Sequence, residues 1–164
     1  MALQSKILVY AAIVGLLGLM GIIFWYGNLD APELEQVEIE LKNVEVSSVN
    51  KVANTAKLNV TFLVKNPSET TFTVSLIGYQ LYADGGLLGS GQYSTVDIAM
   101  PGRAIFSSGA EIPLKNTFEL NRSDVNNEIY QAILDDNINS FRAEGIIATE
   151  SAWSSIEKEF DSST

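Results

Sequence analysis

The 164 residues suffice for one modest domain plus an appendage, and the 46% apolar content is unevenly spread. Ten Lys and Arg stand against twenty Asp and Glu, a net charge of −10, which argues against nucleic-acid binding by phosphate neutralisation. With no His and no Cys, Ser-His-Asp and Cys-His nucleophilic schemes and His- or thiolate-bound zinc are excluded, and disulfides cannot contribute.

Residues 7–26, ILVYAAIVGLLGLMGIIFWY, form twenty positions without a charge. A helix of that length covers ~30 Å, about the hydrocarbon thickness of a bilayer. Tyr10 and the Trp25–Tyr26 pair suit the two interfaces. A cleaved signal peptide is the alternative, but its apolar region runs ~7–15 residues and precedes a small-residue cleavage site. This run is longer and ends in Phe24–Trp25–Tyr26, which favours an uncleaved anchor. Residues 1–27 are therefore read as a single-pass transmembrane anchor whose partner is the lipid bilayer. Lys6 ahead of the span places the N-terminus in the cytoplasm and the C-terminal domain outside the cell membrane. Ala11, Gly15 and Gly18 form a small-residue face. Packing against a helix of a membrane-protein partner and the ordinary abundance of Gly in membrane helices explain it equally well.

Beyond Lys6 nine basic side chains face twenty acidic ones, a net of −11. That disfavours lying flat on anionic lipid. Residues 28–33 read as a polar linker containing Pro32, and residues 34–164 as one domain. Val37, Ile39 and Leu41 alternate with charged residues, predicting a half-buried strand that runs toward Val44 and Val46. Residues 47–55 are polar and read as a loop. Alternation returns at Leu58, Val60, Phe62 and Val64, and again at Phe72, Val74 and Leu76, continuing through Tyr79, Leu81 and Ala83.

Asp84–Gly85–Gly86 reads as a hairpin turn, since Gly supplies the positive φ of primed turns. Residues 87–98 return with Gly89 and Gly91 inside, suggesting a bulge. Residues 100–103 read as another turn. Residues 104–114 read as a strand ended by Pro113 at an edge or exit. Val125, Ile129, Ala132 and Ile133 lie at helical spacing with Ser123 as N-cap, predicting a helix within residues 123–137. Residues 140–149 read as a strand, and residues 153–160 as a last strand or a short helix, with the strand favoured. Short strands and turns with one added helix predict an all-β fold. It would be an antiparallel, immunoglobulin/fibronectin-like β-sandwich of about seven strands, preceded by the transmembrane helix.

Asn66–Pro67 interrupts two runs otherwise ready to pair. Pro67 lacks an N–H and fixes φ, so no central strand runs through it. Asn66 is biased to extended backbone and can bond nearby N–H groups itself. The surrounding sequence, LNVTFLVKNPSETTFTVSLIGYQLYADGGLLGSG, resembles the WHy (water stress and hypersensitive response) domain of the type 2 late embryogenesis abundant (LEA-2) family. Asn66, Pro67, Tyr79 and Leu81 match that family's Asn-Pro and Tyr-x-Leu elements, and the Gly145 strand, FRAEGIIAT, with Phe160 looks like its later strands. The resemblance spans roughly residues 34–160. The long 120–137 section departs from the pattern. The resemblance implies a β-sandwich acting protectively in desiccation, osmotic or heat stress.

Little chemistry is legible. Asp135 and Asp136 are helix neighbours that point apart. Glu35, Glu38 and Glu40 do not have calcium-loop spacing. Asn59 and Asn121 begin N-glycosylation sequons, and Asn121, in a surface turn, is the better acceptor. The chain is read as a non-enzyme without cofactor or metal. Two alternatives to stress protection stay open: an accessory subunit of a membrane complex, and a lipid- or apolar-ligand-binding module at the membrane surface.

Overall fold

The computed structural model describes residues 2–27, 31–95 and 102–164. Helix α1 (Ala2–Gly27) is apolar on all sides, with no acidic or basic residue in its terminal turns. Its described side chains are exposed, and it is long and apolar enough to cross a membrane. A short helix, α2 (Ala31–Leu34), occupies part of the expected linker. It forms because Leu34 and, just after it, Val37 are fully buried in the domain.

Among the described residues eight strands follow: β1 (Glu38–Asn50), β2 (Thr55–Lys65), β3 (Phe72–Ala83), β4 (Gly86–Ser94), β5 (Ile105–Phe106), β6 (Glu111–Asn121), β7 (Phe141–Glu150) and β8 (Ser155–Ser163). They form two antiparallel sheets, β1-β2-β6 and β4-β3-β7-β8, with β5 paired to the start of β3. The predicted alternation holds in β2, where Ala56, Leu58, Val60, Phe62 and Val64 all turn inward. Residues of both sheets share one core. Phe62 meets Tyr79 of the opposite sheet edge-to-face, with ring centroids 4.9 Å apart. The chain is thus an antiparallel β-sandwich.

Five expectations need correction. The inward alternation read at Phe72, Val74 and Leu76 breaks at a register shift between Val74 and Leu76, so that Ile77 is fully buried and Leu76 only half-buried. The supposed loop at 47–55 shrinks to residues 51–54, because β1 continues to Asn50 through bulges at Lys42 and Ser47. The first bulge shifts the alternation, so that Val44 and not Asn43 packs on the core. Residues 104–114 are two strands on different sheets, separated by a turn with Gly109 at φ 73°. Pro113 lies inside β6, opposite Leu63, and is tolerated because β6 is an edge. The late helix, α3 (Asn127–Leu134), begins later than predicted, and Ser123 is not its cap. Val125 is extended (φ −133°, ψ 162°), so Ser123 falls in a separate 3-10 turn and donates to Asp124 Oδ1. Asn126 caps α3 by accepting from the Glu128 N–H. In the predicted 87–98 strand and 100–103 turn, residues 96–101 lie outside the described residues; β4 itself ends at Ser94.

The Asp84 hairpin is tighter than expected. Asp84 (φ 46°) and Gly85 (φ 84°) are both left-handed, a two-residue type I′ turn, and Gly86 already belongs to β4. Gly86 serves packing instead: a Cβ there would collide with Ile129 of α3. Asp84 also accepts from the backbone N–H groups of Asn139 and Ser140, tying the turn to the α3–β7 connection.

Candidate functional site

Polar and aromatic residues gather in three clusters, and the first two hold residues that the sequence singles out. The first is Asn66, which is buried at the end where β2 crosses to the other sheet. Its Nδ2 donates to Thr70 O and Phe106 O, each at 2.9 Å. Its Oδ1 accepts from the Ser68 N–H at 3.0 Å and the Ser68 hydroxyl at 2.8 Å. Its backbone N–H donates to Ala110 O, and its carbonyl accepts from the Gly109 N–H. One side chain thus closes its own turn and also holds β5 and the 107–110 turn in place. The local bonds were readable from an Asn-Pro pair; the long-range ones were not.

The second cluster is a row across the larger sheet: Gly91, Tyr79, Gly145 and Phe160 lie side by side on β4, β3, β7 and β8. Phe62 contacts Tyr79 and Phe160 edge-to-face. A Cβ at Gly91 would strike the Tyr79 ring, and one at Gly145 would strike the Gly78 carbonyl and approach Tyr79 Cα at 2.8 Å. Both glycines are therefore steric requirements of this row. Tyr79 keeps its hydroxyl bonded through Asn116 Nδ2 at 2.8 Å. Burial pushes the Tyr79 phenol up, and the Asn116 bond partly offsets this. Leu81, next along β3, is a fully buried core residue.

The third cluster is a shallow groove of about 770 Å³ on the outer face of the same sheet, floored by Gly78 and walled by Gln80, Ser90, Glu144, Glu159 and Asp161. A polar network borders it. The Tyr82 hydroxyl donates to Glu144 Oε1 at 2.6 Å and lies 2.8 Å from Gln80 Oε1. Arg142 reaches both Asp161 oxygens, at 2.7 and 2.6 Å, and also Glu144, while its guanidinium lies over the Tyr82 ring. The hydrogen bond from Arg142 holds the Asp161 carboxyl below the usual range and raises Arg142 itself. The bond to Glu144 raises the Tyr82 phenol. At the other sheet Glu40, 2.9 Å away, raises Lys65. Each of these shifts moves its group away from neutral pH, the opposite of what a general acid or base needs. Among the described residues no group of three or more His, Cys, Asp or Glu is placed to hold a metal ion.

The network residues escaped the sequence reading. Their signal is outward alternation at 80, 82, 142, 144 and 161, but only the register that sets Tyr82 opposite Arg142 and Glu144 opposite Asp161 brings them together. Pro67 is exposed, whereas Asn66 beside it is buried. Ala11, Gly15 and Gly18 lie on exposed α1, and a Cβ at either glycine would meet nothing within 4 Å. Asn121 ends β6, exposed, its Nδ2 donating to Asp124 Oδ2 at 2.9 Å. Asn59 lies within central strand β2.

No family model and no curated protein matches the chain. Solved structures do. A solution structure from Arabidopsis thaliana is 12% identical, with a TM-score of 0.49 over 77% of this chain and 78% of that one. A solution structure described provisionally as a late embryogenesis abundant protein is 10% identical, with a TM-score of 0.40 over 93% and 83%. A crystal structure of a protein from Archaeoglobus fulgidus is 15% identical, with a TM-score of 0.47 over 76% and 94%. At identities and scores this low, the functional reading rests on the residues themselves.

Proposed function

We propose that this chain is a membrane-anchored, non-catalytic protein of the LEA-2/WHy type, whose folded domain protects other proteins or the membrane under desiccation, osmotic or heat stress. The observation that carries the reading is the Asn66–Pro67 break. It matches the family pattern in sequence, and Asn66 is the buried tie between the two sheets and β5. The row of Tyr79 and Gly145 adds a steric reason for two further residues that the family resemblance singles out. The absence of His and Cys, and tyrosine, aspartate, arginine and lysine groups shifted away from neutrality, support a surface that binds and hydrates without catalysing. The apolar α1 supports tethering to a membrane, and Lys6 supports a cytoplasmic N-terminus with the sandwich outside.

The test is protection of an unrelated enzyme during drying or heating by a fragment beginning at Asn28, without nucleotide. An equally acidic, unrelated β-sandwich is the control for charge alone. Protection by the fragment and not by the control supports the reading; equal protection by both removes its specific content. Extraction of the full chain in detergent followed by native mass measurement separates the alternatives. A defined hetero-complex identifies an accessory subunit, and co-purifying lipid identifies a lipid-binding module.

A further inference from the structure

The sandwich has two ends, and strand pairing fixes which of them the anchor enters. Glu38, at the start of β1, pairs with Lys65, and Lys65 pairs with Glu111. Asn66, next along, holds Phe106, which pairs with Phe72. Thr73 then pairs with both Ile105 and Glu150, and Glu150 pairs with Ser155. The starts of β1, β3, β6 and β8 and the 151–154 loop therefore share the end at which α2 enters.

The lateral register of β8 sharpens this. Lys158 Nζ donates to Val37 O at 2.6 Å, and the Leu41 N–H donates to Ser162 Oγ at 2.9 Å. The two strands run in step in the same direction. From the Leu41–Ser162 bond β1 extends three residues back, to Glu38, and β8 seven, to Ser155. At ~3.3 Å per residue β8 overshoots β1 by ~13 Å toward the anchor, and α2 packs beside that overhang.

At its tip sits Trp153, 74% exposed, with Ile105 at the same end 58% exposed. The loop needs no packing from the indole. Ser151 Oγ accepts from the Trp153 and Ser154 N–H groups, and the Ser151 N–H donates to Ser154 O, so the loop is closed by its own backbone and serine. Between Gly27, the last residue of α1, and Ala31, the first of α2, the chain spans four steps, at most ~14 Å. The headgroup layer on one side of a bilayer is itself ~5–7 Å thick.

We infer that Trp153, with Ile105, docks the anchor-proximal end of the sandwich onto the lipid headgroup region, so that the domain stands on the bilayer surface. This rests on α1 spanning the membrane. Trp suits that layer because its ring is apolar and its indole N–H is a donor that headgroups and water satisfy. A single Trp on a water-facing surface would be unremarkable; here the short tether keeps the end that carries it close to the headgroup layer. Val52, 95% exposed, lies at the hairpin tip on the opposite end and is directed away from the membrane.

The chain has two tryptophans, which makes the test direct. The full chain is placed in phosphatidylcholine vesicles with a nitroxide quencher at the headgroup or at a shallow acyl position. In Trp25→Phe, Trp153 is the sole reporter; its emission is expected to shift to the blue and to be lost to the shallow quencher. In Trp153→Phe, Trp25 reports on the anchor alone. Val52→Trp, in a chain lacking both natural tryptophans, is expected to stay unquenched. Quenching of Trp25 without quenching of Trp153 overturns the docking and leaves the anchor standing. Loss of quenching at Trp25 as well overturns both. Equal quenching at Val52→Trp and Trp153 means a domain lying flat or inserting without order, and overturns the stated orientation.

Discussion

Asn66 shows how much a single residue carries here and how little of that a sequence displays. The Asn-Pro pair makes the Asx-type bond to Ser68 legible, since that bond is local. The bond to Phe106 spans forty residues and depends on β5 pairing with β3, which no local pattern encodes. Replacing Asn66 by Ala removes the amide donor from the Thr70 and Phe106 carbonyls and the acceptor of the Ser68 N–H, and leaves the Ser68 hydroxyl only its 3.3 Å bond to Thr70 O, so a loss of about 2–4 kcal/mol is expected. Denaturant unfolding of Asn66→Ala checks this, and Pro67→Ala, which removes only backbone restriction at an exposed position, is expected to lose far less. Thr149 offers the opposite case: its Oγ1 is buried with no hydrogen-bond partner among the described residues. Thr149→Val keeps the shape and removes the unsatisfied hydroxyl, so a gain of about 1 kcal/mol in the same assay is expected. Asp161 gives a pH prediction. Its folded pKa is depressed by Arg142, so its contribution is complete above the unfolded value near 3.8 and is lost as pH falls through the lower folded value. The thermal midpoint of Asp161→Asn should therefore fall below that of the natural chain at neutral pH, and the gap should close in acid below pH ~4. A gap that persists unchanged into strong acid would mean the aspartate acts through packing and not through charge.

At the scale of elements, strands with clean alternation were read nearly to the residue, and those with bulges or breaks were not. β2 keeps its period through inward residues on a packed face, whereas β3 changes face at the register shift between Val74 and Leu76, burying Ile77 in place of Leu76. β1 changes face at its bulge, and 104–114 changes sheets at Gly109, events that composition does not mark. The late helix was legible through Ile129, Ala132 and Ile133 as a face, but not its start, because several nearby polar residues can cap and Val125, expected on that face, is extended and leaves Asn126 as the cap. Its end is a Schellman turn: the Asn137 N–H donates to Ala132 O, the Asp136 N–H donates to Ile133 O, and Asp136 is left-handed at φ 54°. The hairpin at Asp84 was placed correctly because an Asp-Gly pair between alternating strands is a strong local signal. Gly85 is at φ 84° with open space around it, so conformation and not crowding sets the requirement. Gly85→Val is expected to cost about 1–3 kcal/mol through strain at positive φ. A thermal midpoint equal to that of the natural chain would show that the turn readily adopts another type. Edge strand β6, with exposed Glu111, Lys115 and Glu119 and the internal Pro113, is unsuited to pairing with a second chain.

For the molecule as a whole, the division between anchor and sandwich falls where burial changes, and that differs slightly from where composition changes. Composition puts a polar linker at 28–33, yet Ala31–Leu34 is helical and Leu34 has no exposed surface. The reason is tertiary: Lys158 of β8 reaches across to the Glu35 and Val37 carbonyls, and the Glu69 N–H donates to Glu33 Oε2, so the segment before β1 is fastened to β8 and to the β2–β3 connection. By contrast α1 contributes nothing to the core, its apolar window being wholly exposed. The two observations set opposite expectations for truncation. A chain beginning at Asn28 is expected to keep the thermal stability of the full-length domain and to be soluble and monomeric, while carbonate leaves the full chain in the membrane fraction. Removing residues up to 37 deletes the fully buried Leu34 and Val37 and uncovers the apolar atoms they shield. Loss of one buried Leu alone costs about 2–5 kcal/mol when the site cannot collapse, so a chain beginning at Glu38 is expected to unfold at markedly lower denaturant or to fail to fold. Equal stability of the two truncated chains in urea would mean that the domain begins at β1 and that α2 only rests on its surface; the complete burial of Leu34 and Val37 argues that it does not.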